Sequence, residues 1–145
     1  MGLITSQKKQ VALGVQALKK QKATNVGVDT SISAHGAAEG AVLAQFVFDK
    51  LKKKADNEAV MNVGPFALEE VNDGLNWETG EIYGMSQNLA RMFMTTPANL
   101  MTPKVFSEEV AYLLAGLENI DIKVHDKDWA ARQKMNAFLS VAQGR

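Results

Sequence analysis

Apolar and polar positions along the first half of the chain predict helices and strands in alternation. Apolar residues recur at helical intervals over residues 7–22 and 36–54, and lysines close the second of these helices, where the helix dipole favours cations. Residues 24–30 alternate and carry β-branched side chains, which is typical of a short strand. Residues 58–63 form a second candidate strand. A loop is predicted over residues 65–76.

The second half continues this alternation. A helix is predicted over residues 77–95 and is ended by Pro97, since the residue before a proline avoids helical backbone angles. Thr102 suits an N-cap and Pro103 suits the first helical turn, so another helix should run to about residue 117.

The last part of the chain is predicted to hold one more helix between two strands. Apolar residues alternate over 120–124, which predicts a strand. Either Asp126 or Asp128 could cap a helix over residues 129–135, and the apolar run 138–142 could begin a further strand. The sum of these elements is an α/β chain with mixed or parallel strand pairing.

Composition narrows the class of protein. The chain has 145 residues, 46% hydrophobic and 22% charged, which is typical of one globular domain. It contains no cysteine, so disulfides and thiolate metal sites are excluded, and a reducing compartment suits it. No apolar run approaches the roughly 18 residues of a membrane span, and residues 1–10 lack the apolar core of a signal peptide.

Charge is unevenly spread although the net charge is zero. Residues 1–54 carry nine lysines and three acids, and residues 55–145 carry seven basic residues and thirteen acids, so the halves differ in sign. Solvated helix faces explain the lysines, and a basic face for an acidic partner is the alternative. The basic half contains no arginine, which argues against nucleic-acid binding.

Four of the seven methionines lie in residues 85–101. Core packing explains them, and an adaptable interaction surface is the alternative.

Few residues are candidates for chemistry. His35 and His125 are far apart in the sequence, and a metal site needs several ligands at one point. Asp126 and Asp128 follow His125, so a surface metal site is one interpretation and a helix-capping cluster is the favoured one. Two acidic pairs, Glu69–Glu70 and Glu108–Glu109, diverge around a helix and are interpreted as solvated faces.

Glycine motifs and nucleophiles give no better candidate. Gly36 and Gly40 flank two alanines, but no dinucleotide-binding or phosphate-binding loop is present, and close helix packing is the simpler interpretation. The sequence also has no G-x-S-x-G motif and no cysteine nucleophile. The residues alone therefore predict no catalytic residue, no cofactor-binding residue and no metal ligand.

Four strings in series nevertheless resemble one enzyme family. They are A-E-G-A-V-L at residues 38–43, S-Q-N-L-A-R at 86–91, T-P-A-N-L-M-T-P at 96–103 and M-N-A-F-L-S-V-A-Q-G at 135–144. Together they resemble the leucyl aminopeptidases, the two-metal exopeptidases of the cytosol, in the right order over about residues 7–144. The resemblance implies a partial N-terminal mixed α/β domain over 1–76, a connecting helix over 77–96 and the first elements of an α/β peptidase domain over 97–145.

The resemblance also implies what this sequence lacks. Members of the family bind two divalent ions, zinc or manganese, through a G-K-G-[IL]-x-[FY]-D-[ST]-G-G segment and an N-T-D-A-E-G-R loop, and neither string occurs here. The family's first strands have no counterpart before Met1. Asn136 stands where the family usually has glycine, and Arg145 where it has serine. No catalytic or metal-binding residue of the family can therefore be assigned to a position of this sequence.

Three hypotheses follow. The first is a non-catalytic, structural or assembly-bound relative of a leucyl aminopeptidase, in a cytoplasmic oligomer or, as in sperm paralogues of the family, in a sperm flagellum. The second is one part of an active metal-dependent hydrolase that removes N-terminal residues from peptides with catalytic residues outside this chain. The third is an unrelated α/β binding module. Each expects a truncated sheet with an open edge, so the isolated chain should be marginally stable or associate.

Overall fold

A computed structural model describes residues 2–51, 61–66 and 76–142. The described residues form helices and a small parallel two-stranded sheet, which confirms the predicted α/β class. The chain divides into two compact units, Met1–Met92 and Phe93–Arg145. The elements are α1 (Gly2–Lys20), β1 (Asn25–Asp29), α2 (Ala34–Ala44), β2 (Asn62–Phe66), α3 (Trp77–Thr95), α4 (Pro103–Leu114), α5 (Lys127–Arg132) and α6 (Asn136–Ala142).

The sheet of the first unit consists of β1 and β2 in parallel. Val26 lies opposite Val63 and Val28 opposite Pro65. The amide of Asn62 donates to the carbonyl oxygen of Thr24 at 2.8 Å and extends the ladder by one bond. Parallel neighbours need a crossover connection, and α2 lies within the connection between these strands. The parallel pairing was one of the two predicted arrangements.

The core of the first unit is made of small side chains. Helices α1 and α2 pack together, and Val15 of α1 is only 2% exposed. The buried cluster combines one face of each helix with the sheet: Val15, Val28, Ala37, Ala41, Ala44 and Met61. Alanines on α2 have short side chains, so they allow the two helices to approach closely.

Short polar side chains cap the N-termini of α2, α4 and α5. Ser33 caps α2 by accepting from the amide of Gly36 at 3.1 Å. Thr102 caps α4 by accepting from the amide of Val105, with proline at the next position, as predicted. Asp126 accepts from the amide of Trp129 at 2.7 Å and caps α5, which decides between the two predicted caps.

Several predicted boundaries are corrected. Helix α1 begins at Gly2 instead of residue 7, and α2 ends at Ala44, well before residue 54. Phe46 and Phe48 are half-buried beyond that end, so the apolar pattern continued where the helix did not. Strand β2 lies later than predicted and includes Pro65. A two-stranded sheet tolerates this proline because both its strands are edge strands. The predicted strand residues 58–60 lie outside the described residues.

Two predicted strands in the second unit are wrong. Residues 120–124 pair with no strand in the described part of the unit, and they follow a left-handed residue, Asn119 at φ 65°. Residues 138–142 belong to α6, which follows a second left-handed turn at Lys134. A short apolar run fits a helix or a strand equally well, so periodicity could not decide between them. Helix α3 has the predicted bounds, whereas α4 ends at Leu114 and α5 begins two residues early.

Three glycines allow close contact between the helices of the first unit. A methyl group on Gly40 of α2 would overlap the carbonyl oxygen of Lys8 on α1. One on Gly80 of α3 would overlap the carbonyl oxygen of His35, and one on Gly84 would lie 2.8 Å from the Cβ of Val42. The predicted close packing at Gly40 is therefore present, and it recurs twice on α3.

We expect Gly40→Ala to lower the free energy of unfolding of the first unit by about 1–3 kcal/mol, because the helices would have to move apart. Gly14→Ala is the matched control, since nothing lies within 4 Å of the added methyl and α1 would gain helix propensity of up to about 1 kcal/mol. Urea unfolding followed by Trp77 fluorescence, in a Trp129→Phe background, measures both. Equal effects of the two substitutions would contradict the close packing.

Candidate functional site

A carboxylate marks the place where three helices of the first unit meet. Glu39 of α2 is 8% exposed, an unusual position for an acid. It accepts hydrogen bonds from the ammonium group of Lys8 on α1 and from the side-chain amide of Gln87 on α3. His35 Nε2, one turn earlier on α2, lies 3.9 Å from the other carboxylate oxygen. The three-helix junction, defined as Lys8, His35, Glu39 and Gln87, thus joins α1, α2 and α3 at one charge.

The environment of Glu39 favours its charged form. Burial raises the pKa of the carboxyl group, but the hydrogen bonds from Lys8 and Gln87 and the positive charge of Lys8 outweigh it. The net result is a pKa below the ordinary value of 4.5. The junction therefore holds an ionised carboxylate at neutral pH.

Further hydrogen bonds fix α3 against the end of α2. The side-chain amide of Asn88 donates to the carbonyl oxygen of Val42 at 2.9 Å. Arg91 Nη1 donates to the carbonyl oxygen of Leu43 at 3.3 Å, and its guanidinium carbon lies 5.9 Å from the ring centre of Phe46. These bonds give donors to carbonyl groups in the last turn of α2, where the helix itself supplies few. The carbonyl oxygen of Val42 also accepts from the backbone amide of Gln45, the C-cap residue, at 3.2 Å.

The contacts of α3 with α2 join two of the strings that resemble the aminopeptidases. Gln87, Asn88 and Arg91 belong to S-Q-N-L-A-R, and their partners on α2 belong to A-E-G-A-V-L. Both strings therefore form one helix–helix contact. Their residue types are explained by packing and by hydrogen bonding, with no chemistry required.

A shallow cavity of about 440 Å³ adjoins the three-helix junction. The junction cavity, as we call it, is lined by residues of α1 and α2 and by Arg91 of α3. His35 forms part of its wall, and the imidazole ring packs edge-on against Tyr83 with ring centres 5.1 Å apart. The full lining is Ile4, Thr5, Lys8, Lys9, Ala12, Gln16, His35, Glu39, Gly40, Leu43, Ala44 and Arg91.

The two histidines lie in different units and perform different tasks. His35 belongs to the junction, whereas His125 stacks on Trp129 with ring centres 3.9 Å apart. Asp126 caps α5 and Asp128 lies exposed in its first turn, so the capping interpretation of this cluster holds.

Of the two predicted acidic pairs, Glu69 and Glu70 are outside the described residues. Glu108 is exposed, as predicted, with Lys104 at 3.8 Å, while Glu109 is half-buried.

The described residues do not fit a two-metal centre. Across 2–51, 61–66 and 76–142, no three His, Asp or Glu side chains come together in a way that could hold an ion. The same stretches hold no helix of the length and apolar character needed to cross a bilayer.

The three-helix junction was not predicted from the sequence. The available signal was an acid within an otherwise small and apolar helical segment, A-A-E-G-A, where a solvated carboxylate is unexpected. Its partners lie 31 and 48 residues away in sequence, so nothing local identified them.

Known proteins match both halves of the chain. The catalytic domain of the cytosol aminopeptidase family matches residues 88–145. The cytosol aminopeptidase of Xenopus tropicalis is 36% identical over 135 residues, which cover 92% of this chain and 25% of the relative. The Bos taurus protein is 38% identical over the same coverage. The Dictyostelium discoideum protein is 33% identical over 94% of this chain and 28% of its own length.

These matches extend over the helix–helix contact and into the second unit. The chain belongs to the cytosol aminopeptidase family, also called the leucyl aminopeptidases, and spans about a quarter of the length of the curated relatives it matches.

We expect Glu39→Gln to lower the free energy of unfolding of the first unit by about 1–3 kcal/mol, because Lys8 would lose its buried counter-charge. Glu108→Gln is the matched control, since that exposed carboxylate lies in a weak surface pair and its loss should cost less than about 0.5 kcal/mol. Urea unfolding followed by Trp77 fluorescence measures the first variant, and Trp129 fluorescence measures the second, because Glu108 lies in the second unit. An effect of Glu39→Gln as small as that of Glu108→Gln would show that the junction does not stabilise the first unit.

Acid should remove the stabilisation that Glu39 provides. The folded-state pKa is lowered, so the contribution is fully present above the ordinary value of 4.5 and is lost as pH falls through the folded-state pKa. The difference in unfolding free energy between the unmodified chain and Glu39→Gln should therefore be larger at pH 7 than at pH 3. Unfolding curves at both pH values test this, and a difference that does not shrink on acidification would contradict the assignment.

Proposed function

We propose that this chain is an assembly-bound, non-catalytic component of the cytosol aminopeptidase family, whose work is to hold other polypeptide in place. The observation that carries the proposal is the apolar surface of the second unit. Neither α4 nor α6 has a buried residue, and Met94, Tyr112 and Val141 are 86%, 80% and 79% exposed. Soluble monomers rarely leave so many large apolar side chains uncovered.

The exposed apolar side chains extend along most of the second unit. Within its described residues only Thr96 and Ala130 are buried. Besides the three named above, the exposed large apolar residues of this unit are Leu100, Phe106, Leu113, Leu117, Ile120, Val124, Met135 and Phe138. Burying such side chains contributes about 1.5–3 kcal/mol each, so a covering partner would add much of the unit's stability.

The family match supports one kind of partner. Residues 88–145 match a catalytic domain, and the matched relatives are about four times as long as the shared segment. The covering surface is therefore proposed to be polypeptide of the remaining catalytic domain. A cytoplasmic location accords with the relatives' name, and a sperm-flagellum location is the narrowest form of the proposal. Peptide sequencing of isolated flagellar axonemes tests that last point.

The alternative function is one part of an active enzyme. The relatives are cytosol aminopeptidases at 36–38% identity, which favours a metal-dependent aminopeptidase whose zinc or manganese ligands lie outside this chain. In that case the chain would position a catalytic domain without supplying a reacting group. The two functions share the same docking surface and differ in whether the assembly hydrolyses peptides.

Co-expression separates these functions. We expect the 145-residue chain to co-purify with the Bos taurus cytosol aminopeptidase from which the matched 135-residue segment has been deleted. Val141→Asp should weaken this association several-fold, because it places a charge on the apolar surface, whereas Ser140→Asp on the same helix should not. Release of leucine from a leucyl peptide, with added Zn²⁺ or Mn²⁺, then distinguishes an active assembly from a structural one.

A chain that stays alone in this experiment and melts cooperatively as a dilute monomer would overturn the proposed function. Association without hydrolysis supports the structural role. Association with metal-dependent hydrolysis supports the alternative.

A further inference from the structure

The junction cavity carries an excess of positive charge. Among the described residues that line it, Lys8, Lys9 and Arg91 stand beside one carboxylate, Glu39, which leaves a balance of +2 with His35 counted as neutral. Glu39 is already engaged by Lys8 and Gln87, so its charge is largely compensated within the protein. Lys9 has no ion-pair or hydrogen-bond partner among the residues that the structure describes.

Arg91 lies at the rim of the junction cavity, and its two described hydrogen bonds use only one of its nitrogen atoms. Its Nη1 atom makes both of its hydrogen bonds, to the carbonyl oxygen of Leu43 and to the side-chain oxygen of Asn88, each at 3.3 Å. The ring of Phe46 supports the guanidinium group, which limits its motion. A guanidinium group has five N–H donors, so those on the other nitrogens can still bind an oxyanion.

An unpartnered polar atom lies in the same wall. His35 Nδ1 is buried and has no hydrogen-bond partner in the described part of the chain. A buried polar atom without a partner costs free energy. Apolar side chains of Ile4, Ala12 and Leu43 complete the wall, so the cavity combines cations with a hydrophobic surface.

We propose that the junction cavity binds a small organic oxyanion with a short apolar body. Lys9 and Arg91 would hold the anionic head, and Ile4, Ala12 and Leu43 would contact the body. The volume of about 440 Å³ lies in the range of small-molecule sites. The described residues that line the site all belong to the first unit.

Ring signals of the two histidines provide an internal comparison in one NMR titration. Hexanoate, added to the full 145-residue chain, should shift the signals of His35 in a saturable way and leave those of His125 unchanged. Acetate should bind more weakly because it lacks the apolar body. Hexylammonium, of the same length and opposite charge, should produce no saturable shift. Spectra of His125→Gln assign the signals.

Two lysine variants test whether the anion binds inside the junction cavity. Lys9→Ala should raise the dissociation constant of hexanoate about three- to fivefold, which is the size expected for one partly exposed charge contact. Lys19→Ala is the matched control, because this lysine lies on the same helix outside the cavity. Both positions are exposed, and thermal melts confirm that each variant is folded.

Two outcomes would overturn the proposal. One is a response to hexanoate that grows linearly without saturation or affects His35 and His125 alike. The other is an equal effect of Lys9→Ala and Lys19→Ala, which would indicate general charge screening instead of a site.

Discussion

One buried charge constrains the whole first unit. Glu39 is removed from water on a helix otherwise made of small side chains, and such a charge is tolerated only when it is paired. Its partners come from the two neighbouring helices, so α1 and α3 must each present a particular residue to the same point. The rotation of both helices about their axes is thereby fixed. Gly40, Gly80 and Gly84 permit the short distances that this arrangement needs.

The same contact contains two of the strings that resemble the aminopeptidases. The strings around Glu39 and Gln87 are the two sides of one contact, and losing the α3 side chains removes one donor each from Glu39 and from the carbonyl oxygens of Val42 and Leu43. Packing and hydrogen bonding explain the residues of these two strings, so the strings by themselves carry no statement about the reaction chemistry of this chain.

The two units differ in how they bury apolar surface. The first has a small closed cluster between two helices and the sheet. In the second, most of the large apolar side chains are exposed, and the short helices contain almost no buried residue. Composition could not distinguish them, because a hydrophobic content of 46% describes the whole chain without stating which side chains find a partner. The contrast is what motivates a docking role for the second unit.

Local chemistry in the sequence determined the helix starts and the periodic segments. Thr102, Pro103 and Asp126 act through residues three positions away or fewer, and α3 follows from an uninterrupted apolar period bounded by Pro97. Tertiary structure decided the rest. Residues 120–124 are not a strand because a strand exists only with a partner, and the run 138–142 became helical after the turn at Lys134. The end of α2 and the three-helix junction were also not predicted from the sequence. The groups that bind Glu39 lie 31 and 48 residues away in sequence, and only folding brings them together.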